Sequence, residues 1–183
     1  MSLENLDNPE ILFQNIKTNF EYYFFYIVDL FFGRNHIDRV INHLYIGNIY
    51  TALNEDILRE NNIQVVVNCT TDIPFLDADF IKDGYRCELE DDKSQEQMEH
   101  MLSSFKYILD IIKTHIDNNE NVFVHCRAGV QRSASIVVAY LMKYNNFELK
   151  DAITYLKSIR YCVFNPQPNF ITSLKSFENI LQP

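Results

Sequence analysis

The feature that most constrains the fold is a 21-residue stretch, 122–142, in which an apolar run enters a short loop and then a long apolar segment. Val122 to Val124 are three apolar β-formers in a row, which predicts a short buried strand. From Ala134 to Met142 apolar residues recur at helical spacing without Gly or Pro, which predicts a helix. A loop between a strand end and a helix start can point several backbone N–H groups into one concavity. The stretch therefore predicts an anion-binding site.

The loop also carries reactive side chains. Cys126 opens it and Arg132 closes it, with five residues between them. A thiol in such a place has its pKa lowered to about 3.5–7.5 from about 8.5, and the resulting thiolate is a strong nucleophile. The guanidinium of Arg132 matches two oxygens of a phosphate, and the hydroxyl of Ser133 can donate to the sulfur. Most free cysteines are simply buried, but the order strand, Cys, Gly, Arg, Ser, helix favours a reactive site here.

Strands and helices alternate along the chain from residue 37 onward. Apolar runs predict strands at 44–46, 49–50, 63–69, 85–89 and 122–124, the first two joined by a Gly47-Asn48 turn. Helices are predicted at 54–60, from a Ser94–Gln97 capping box to about Asn118, and at 132–144, 148–158 and 169–181. This alternation is typical of an α/β sandwich, whose site lies beyond the carboxyl end of the central strand.

The segment His-Cys-x-x-Gly-x-x-Arg-Ser at 125–133 resembles the active-site loop of the cysteine-dependent protein phosphatases. The Ala-Tyr-Leu-Met at 139–142 resembles their small, atypical dual-specificity branch, and weaker matches extend the resemblance over about 37–181. The resemblance implies an α/β fold with a central, mostly parallel twisted sheet of about five strands flanked by helices. It also implies hydrolysis of phosphotyrosine and phosphoserine or phosphothreonine in proteins through a phosphocysteine intermediate, with no metal or organic cofactor.

Ester cleavage needs a general acid for the leaving oxygen, and the candidates are Glu88, Glu90, Asp91 and Asp92. In the resembled family an Asp precedes an apolar helix position by six residues. Asp92 has that spacing to Met98 and Asp91 does not, so we expect Asp92 to be the acid, with Asp91 as the reserve candidate. Runs of acidic residues are also common on solvated surfaces, which is the alternative for both.

The remaining loop residues have supporting roles in this interpretation. The side chain of His125 leaves the strand opposite to that of Cys126, and we expect it to hold the loop in place. The backbone of Ala128, Gly129 and Val130 is expected to bind the phosphate together with Arg132. Two variable positions, Arg127 and Gln131, are expected to face the pocket mouth.

Two further positions carry expectations from the resemblance. Arg160 matches a family arginine near the pocket and is expected to meet a second anionic group. After it, the order of Asn and Pro in 165–170 departs from the family pattern. Whether Asn165, Asn169 or neither supports the loop stays open at this point.

The composition limits the partners. A net charge of −9 argues against a nucleic-acid-binding surface and against attraction to anionic membranes. The four cysteines have no metal-type spacing and follow no signal peptide. Because a catalytic thiolate needs a reducing compartment, we expect a cytoplasmic or nuclear protein.

Residues 1–36 form a separate amphipathic helical segment in this interpretation, preceding a catalytic domain at 37–183. Its apolar residues recur at three- and four-residue steps, but the nearly continuous run 22–32 is too short to span a bilayer. We expect the segment to pack on the domain or on a second copy, as in a homodimer. Binding to a membrane surface is the less favoured alternative, since the segment has few Lys or Arg residues.

Three functions remain open from the sequence. A protein phosphatase acting on phosphoprotein substrates is favoured. A phosphoinositide or other non-protein phosphatase is less favoured, because such enzymes tend to carry extra basic residues in the loop. A phosphoprotein-binding module without turnover is disfavoured by the presence of Cys126, Arg132 and Asp92.

Overall fold

Five strands form a single sheet at the centre of the computed structural model, which describes residues 37–165 and 167–182. The strands occupy Ile37–Ile41 (β1), Leu44–Gly47 (β2), Ile63–Asn68 (β3), Asp83–Arg86 (β4) and Asn121–His125 (β5). Their order across the sheet is β1-β2-β5-β3-β4, with β1 antiparallel to β2 and the other neighbours parallel. The predicted mostly parallel sheet of about five strands is confirmed, and the predicted helix in 1–36 lies outside the described residues.

The helices cover the two faces of the sheet unequally. They occupy Ile49–Ala52 (α1), Glu55–Glu60 (α2), Gln95–Asp117 (α3), Arg132–Asn145 (α4), Leu149–Ile159 (α5) and Ile171–Leu181 (α6). The large core contains residues of α3 to α6 together with Val122 and Val124 of β5. On the other face, Phe123 packs with residues of α1 and α2. Both faces of β5 are therefore buried, which explains why its sequence is a continuous apolar run.

Helix α4 runs through the middle of the large core. Every residue from Arg132 to Met142 is buried, so the helix is enclosed on all sides. Its last turn ends at Asn146, which adopts a left-handed conformation with φ of 57°. The strand and the helix on either side of the 126–131 loop are thus both fixed by packing. No helix in the described ranges is long and apolar enough to cross a membrane.

Two local predictions are corrected by the structure. The strand predicted at 49–50 is the first turn of α1, because the side chain of Asn48 caps it by accepting from the N–H groups of Tyr50 and Thr51. The fifth strand is instead β1, which the sequence analysis missed. In the predicted capping box, Ser94 does accept from the N–H of Gln97, but the Gln97 side chain accepts from the N–H of Glu90.

Candidate active site

Strand β5 delivers Cys126 to the edge of the sheet where the parallel strands end. Cys126 follows the last residue of β5 and is buried, and the loop 126–131 connects it to the first residue of α4, Arg132. The strands on either side, β2 and β3, end beside it, because Gly47 and Asn68 both pair with His125. The loop thus lies at the carboxyl end of the central strand, where ligands bind in open α/β sheets.

The backbone carbonyls of residues 127–131 accept hydrogen bonds from groups outside the loop. In a planar trans peptide the N–H points opposite to the carbonyl, so the N–H groups of 128–132 face the concavity that the loop encloses. Such a ring of N–H groups at a helix start binds anions. The carbonyl of Arg127 accepts from the N–H of Ile49 (3.1 Å), that of Val130 from the N–H of Phe164 (3.0 Å), and that of Gln131 from the N–H of Ser135 (2.9 Å). The carbonyl of Ala128 accepts from Arg160 Nη2 (3.5 Å), and that of Gly129 accepts from Arg160 Nε (3.0 Å).

Gly129 is required at its position for two reasons. Its φ is +67°, in the left-handed region that side chains disfavour. A Cβ atom there would also lie 2.4 Å from the carbonyl oxygen of Gly47 and 2.9 Å from Nη2 of Arg160. The loop can therefore pack this closely against β2 only with glycine.

Cys126 is held in a state that favours the thiolate. Burial by itself raises the pKa of this thiol, but the charge of Arg132 and hydrogen bonds from Ser133 more than offset it, so the pKa is lowered overall. The Ser133 hydroxyl donates to Sγ at 3.3 Å. The negative charge of Asp91 acts in the opposite direction. The lowered pKa predicted for this loop is therefore what the geometry produces.

The buried guanidinium of Arg132 is only partly engaged in hydrogen bonds within the described part of the chain. The side chain is buried, and Nη1 donates to the carbonyl of Leu89 at 3.0 Å, which fixes its plane. Its Nε has no hydrogen-bond partner within the described part of the chain, and Asp91 Oδ2 lies 3.8 Å away. A buried donor of this kind is costly unless an acceptor meets it, and a phosphate oxygen would do so.

The two acid candidates have different surroundings. Asp92 is exposed, and its Oδ1 accepts from the N–H and the hydroxyl of Ser94 at 2.8 and 2.5 Å, which lowers its pKa. Its carboxylate is thus engaged by the residue that caps α3. Asp91 instead lies next to Arg132 and accepts from Asn169 Nδ2 at 2.9 Å. Asp91, the reserve candidate, is therefore the one of the two for which the structure shows a contact with Arg132.

A family model described as "Dual specificity phosphatase, catalytic domain" matches residues 44–180, three quarters of the chain. The chain belongs to this family. Human dual specificity protein phosphatase 8 is 31% identical to it over 148 residues, which are 80% of this chain and 23% of that protein. Slingshot of Drosophila melanogaster is 29% identical over 144 residues, 78% of this chain and 13% of that protein. The chain therefore spans less than a quarter of the length of these curated relatives.

Solved structures agree with this placement of the dual specificity phosphatase domain. A crystal structure of a point variant of human DUSP28 superposes with a TM-score of 0.73 at 25% identity and covers 81% of this chain and 97% of that one. A crystal structure of DUSP15 gives 0.69 at 26% identity, covering 78% and 86%. The resemblance to the dual-specificity branch of the cysteine phosphatases is thus confirmed.

Two expected pocket residues of this dual specificity phosphatase domain have other roles. Gln131 is buried and uses its side-chain amide within the protein, donating to the carbonyl of Gln167 at 3.1 Å and accepting from the N–H of Asn169 at 2.9 Å. Arg160 is buried too and pairs with Asp38 at 2.7 Å. It therefore supports the loop from behind, rather than facing a second anionic group.

The other two side chains flanking the loop differ in exposure. Arg127 is partly exposed and forms an ion pair with Asp72. The ring of His125 stacks on Phe123 with centroids 5.5 Å apart, on the face opposite to Cys126 as predicted. Burial lowers the pKa of His125 to about 4, so the imidazole is neutral near pH 7. Within the described ranges, no three His, Cys, Asp or Glu side chains lie close enough together to hold a metal ion.

Sequence reasoning missed two residues of this site. Asn169 contacts Asp91, whereas the sequence left open only whether Asn165, Asn169 or neither supports the loop. Asp38 anchors Arg160, and the acidic residue of the strand Ile37–Ile41 was the available signal.

Proposed function

We propose that this chain hydrolyses phosphate monoesters on protein side chains through a phosphocysteine intermediate. The observation that carries the proposal is the loop itself. A thiol of lowered pKa opens the loop, 3.3 Å from the Ser133 hydroxyl and beside a buried arginine whose Nε has no hydrogen-bond partner in the described part of the chain. Family membership supports the same chemistry. A reduced thiol is needed for it, so we place the protein in the cytoplasm or nucleus.

The first half of the reaction forms the intermediate. The N–H groups of 128–132 and the guanidinium of Arg132 bind the phosphate oxygens. The Cys126 thiolate attacks phosphorus in line, so an S–P bond forms as the P–O bond to the leaving group breaks. The leaving oxygen takes a proton, and we assign Asp91 as its donor. The contact of Asp91 with Arg132 supports this, because it brings the carboxyl to the edge of the phosphate site.

The second half regenerates the thiolate. Asp91, now ionised, accepts a proton from a water molecule as the water oxygen attacks phosphorus. The S–P bond breaks, inorganic phosphate forms, and the electron pair returns to the sulfur of Cys126. The hydroxyl of Ser133, 3.3 Å from Sγ, stabilises the departing thiolate. All the proton and charge changes are thus met by residues of this chain.

The pocket mouth supports a phosphoprotein substrate over a polyphosphorylated lipid. The charge of Arg127 is paired with Asp72, so the flank of the loop is close to neutral. Headgroups with several phosphates need additional cations to bind well. We therefore propose phosphotyrosine and phosphoserine or phosphothreonine in proteins as the substrates, with residues 1–36 as a separate segment outside the catalytic domain at 37–183.

Two measurements test the reaction. Phosphotyrosine peptide, phosphothreonine peptide and a soluble inositol polyphosphate are compared as substrates, and rapid acid quenching followed by mass spectrometry looks for a phosphorylated Cys126. Cys126→Ser should abolish turnover and retain binding of the phosphopeptide, while Cys162→Ser, at a buried cysteine elsewhere, should be active. Turnover by Cys126→Ser would refute the covalent mechanism, and preference for the inositol polyphosphate would refute the substrate class.

The acid assignment has a matched pair of variants. Asp91→Asn should lower kcat by about 10²–10⁴ on an alkyl phosphate, whose leaving oxygen needs the proton, and by much less on an aryl phosphate with an acidic phenol. Asp92→Asn should change little, since Asp92 bonds to Ser94 and not to Arg132. A larger loss in Asp92→Asn would return the role to Asp92.

A further inference from the structure

The loop 126–131, here called the phosphate-binding loop, is connected to the loop that carries Asp91. The connection is a ring of four residues: Gln131, Arg132, Asp91 and Asn169. Gln131 and Arg132 are adjacent at the start of α4, and each reaches toward Asp91 by a different route. Arg132 Nε lies 3.8 Å from Asp91 Oδ2. Gln131 contacts residues 167–169, and Asn169 donates to Asp91 Oδ1 at 2.9 Å. The two oxygens of Asp91 therefore have different partners.

Gln131 holds the segment 167–169 at both ends. Its Nε2 donates to the carbonyl of Gln167 at 3.1 Å, and its Oε1 accepts from the N–H of Asn169 at 2.9 Å. Because Gln131 is buried, these bonds are shielded from water and an unpaired amide there would be costly. The backbone of Asn169 is thus fixed relative to the phosphate-binding loop, and this fixes the position from which its side chain reaches Asp91.

The contact from Asn169 decides which oxygen of Asp91 carries the proton. An amide N–H needs an acceptor, so Oδ1, which receives it, stays unprotonated, and the proton of the neutral acid belongs on Oδ2. Oδ2 is the oxygen on the side of Arg132, where the phosphate would bind. The same arrangement leaves Oδ2 ready to accept a proton from water in the second half of the reaction.

We propose that Asn169 and Gln131 are positioning residues that orient Asp91 for proton transfer, Asn169 by direct contact and Gln131 through the segment 167–169. The proposal rests on the proposed function, in which Asp91 is the general acid. Neither side chain is expected to touch the phosphate, because that of Gln131 bonds to residues 167 and 169 and that of Asn169 bonds to Asp91. Their loss should therefore appear in the step that needs the proton, while thiolate formation and phosphate binding remain.

The first test compares Asn169→Ala with Asn165→Ala, at the exposed asparagine four residues earlier. Losing a hydrogen bond to a charged group should lower kcat about tenfold on the alkyl phosphate. On the aryl phosphate with an acidic phenol kcat should change less than twofold, and KM should be unchanged for both. The aryl substrate also reports that the variant is folded. Equal losses on both substrates, or the same loss in Asn165→Ala, would overturn the proposal.

A second test uses pairs of variants. Gln131→Leu should reproduce the substrate-dependent loss of Asn169→Ala, and combining the two should add little, because both act through one contact. In the Asp91→Asn background, Asn169→Ala should have no further effect. Full additivity in that background would overturn the positioning role. If Asp91→Asn itself shows no leaving-group dependence, the acid assignment fails first, which separates the two proposals.

A third variant, Asn169→Asp, should change the pH dependence of kcat, which a purely structural residue would not affect. Asn169→Asp places a second carboxylate against Asp91, and like charges raise the pKa of a carboxylic acid. The charges of Arg132 and of the Cys126 thiolate, which also interact with Asp91, are both retained. The alkaline limb of kcat on the alkyl phosphate should therefore move to higher pH. An unmoved limb would count against direct contact between residues 169 and 91.

Discussion

Replacing Arg160 with Met should separate the stability of the domain from the shape of its phosphate-binding loop. The Arg160 guanidinium pairs with Asp38 at 2.7 Å and donates to the carbonyls of Gly129 at 3.0 Å and Ala128 at 3.5 Å. Both charged side chains are nearly inaccessible, with 4% and 9% of their surfaces exposed. Arg160 therefore connects the edge strand β1 to the loop, and Met keeps the length of its stem without the charge.

The magnitude follows from the burial of the pair. Removing one partner of a buried ion pair leaves the other charge uncompensated and costs about 3–5 kcal/mol. For a chain of this size each kcal/mol shifts the melting temperature by about 2–4 °C, so Arg160→Met should melt roughly 6–20 °C lower. The two freed carbonyls should also turn toward solvent, which would rotate their N–H groups out of the concavity. We expect weaker inhibition by inorganic phosphate and a lower kcat/KM.

The double variant Arg160→Met with Asp38→Leu provides the decisive comparison. An apolar pair of similar volume often replaces a buried ion pair without loss of stability, so the melting temperature should largely recover. The carbonyls of residues 128 and 129 still lack their donor, so phosphate inhibition and kcat/KM should stay low. Recovery of activity together with stability would refute our reasoning that Arg160 shapes the loop directly. Calorimetry and phosphate inhibition at one temperature below both transitions measure the two effects.

Three further predictions rest on single contacts. Burial lowers the folded-state pKa of His125 to about 4, so between about pH 6.5 and 4 only the unfolded chain binds a proton at this residue. The free energy of unfolding should therefore fall by about 3 kcal/mol as the pH drops through that window. Urea unfolding can measure this, and His125→Gln should lack the dependence. Gly129→Ala should lower kcat/KM by about 10²-fold, because its Cβ would lie 2.4 Å from the oxygen of Gly47 and the loop must move by about 1 Å; activity within twofold of the parent would contradict this. Asp72→Asn should release Arg127 from its ion pair and raise kcat/KM about two- to fivefold for a doubly phosphorylated peptide, but not for a singly phosphorylated one.

Local pattern was enough to predict the centre of the molecule. Strand β5, the loop and helix α4 are contiguous in sequence and packed on all sides, so their apolar spacing and the Cys and Arg positions determine both structure and chemistry. The same holds for the N-terminus of α3, where Ser94 caps the helix as predicted. One kind of wrong prediction arises where a polar side chain has its hydrogen-bonding or charged partner far away in the sequence.

Strand β1 illustrates such an error. Asp38 and Val40 are two residues apart and both are buried, so they share the inward face of the strand. A charged residue at an inward position breaks the alternation by which a half-buried strand is recognised. Only the pairing with Arg160, 122 residues away, makes that position tolerable. The strand predicted at 49–50 failed for a different, local reason, because the Asn48 side chain caps a helix there.

The two acid candidates, Asp91 and Asp92, show what spacing along the chain does not reveal about a residue's surroundings. The two carboxylates are adjacent in the sequence, just before α3, but they have different hydrogen-bond partners. Ser94 engages Asp92 from two positions away, whereas Asn169 engages Asp91 from 78 positions away. The segment that delivers Asn169 is held in turn by Gln131 of the phosphate-binding loop. In the proposed mechanism the motif therefore specifies the nucleophile locally. The contact from Asn169 that distinguishes Asp91 from Asp92 is long-range, and spacing along 88–98 does not contain it.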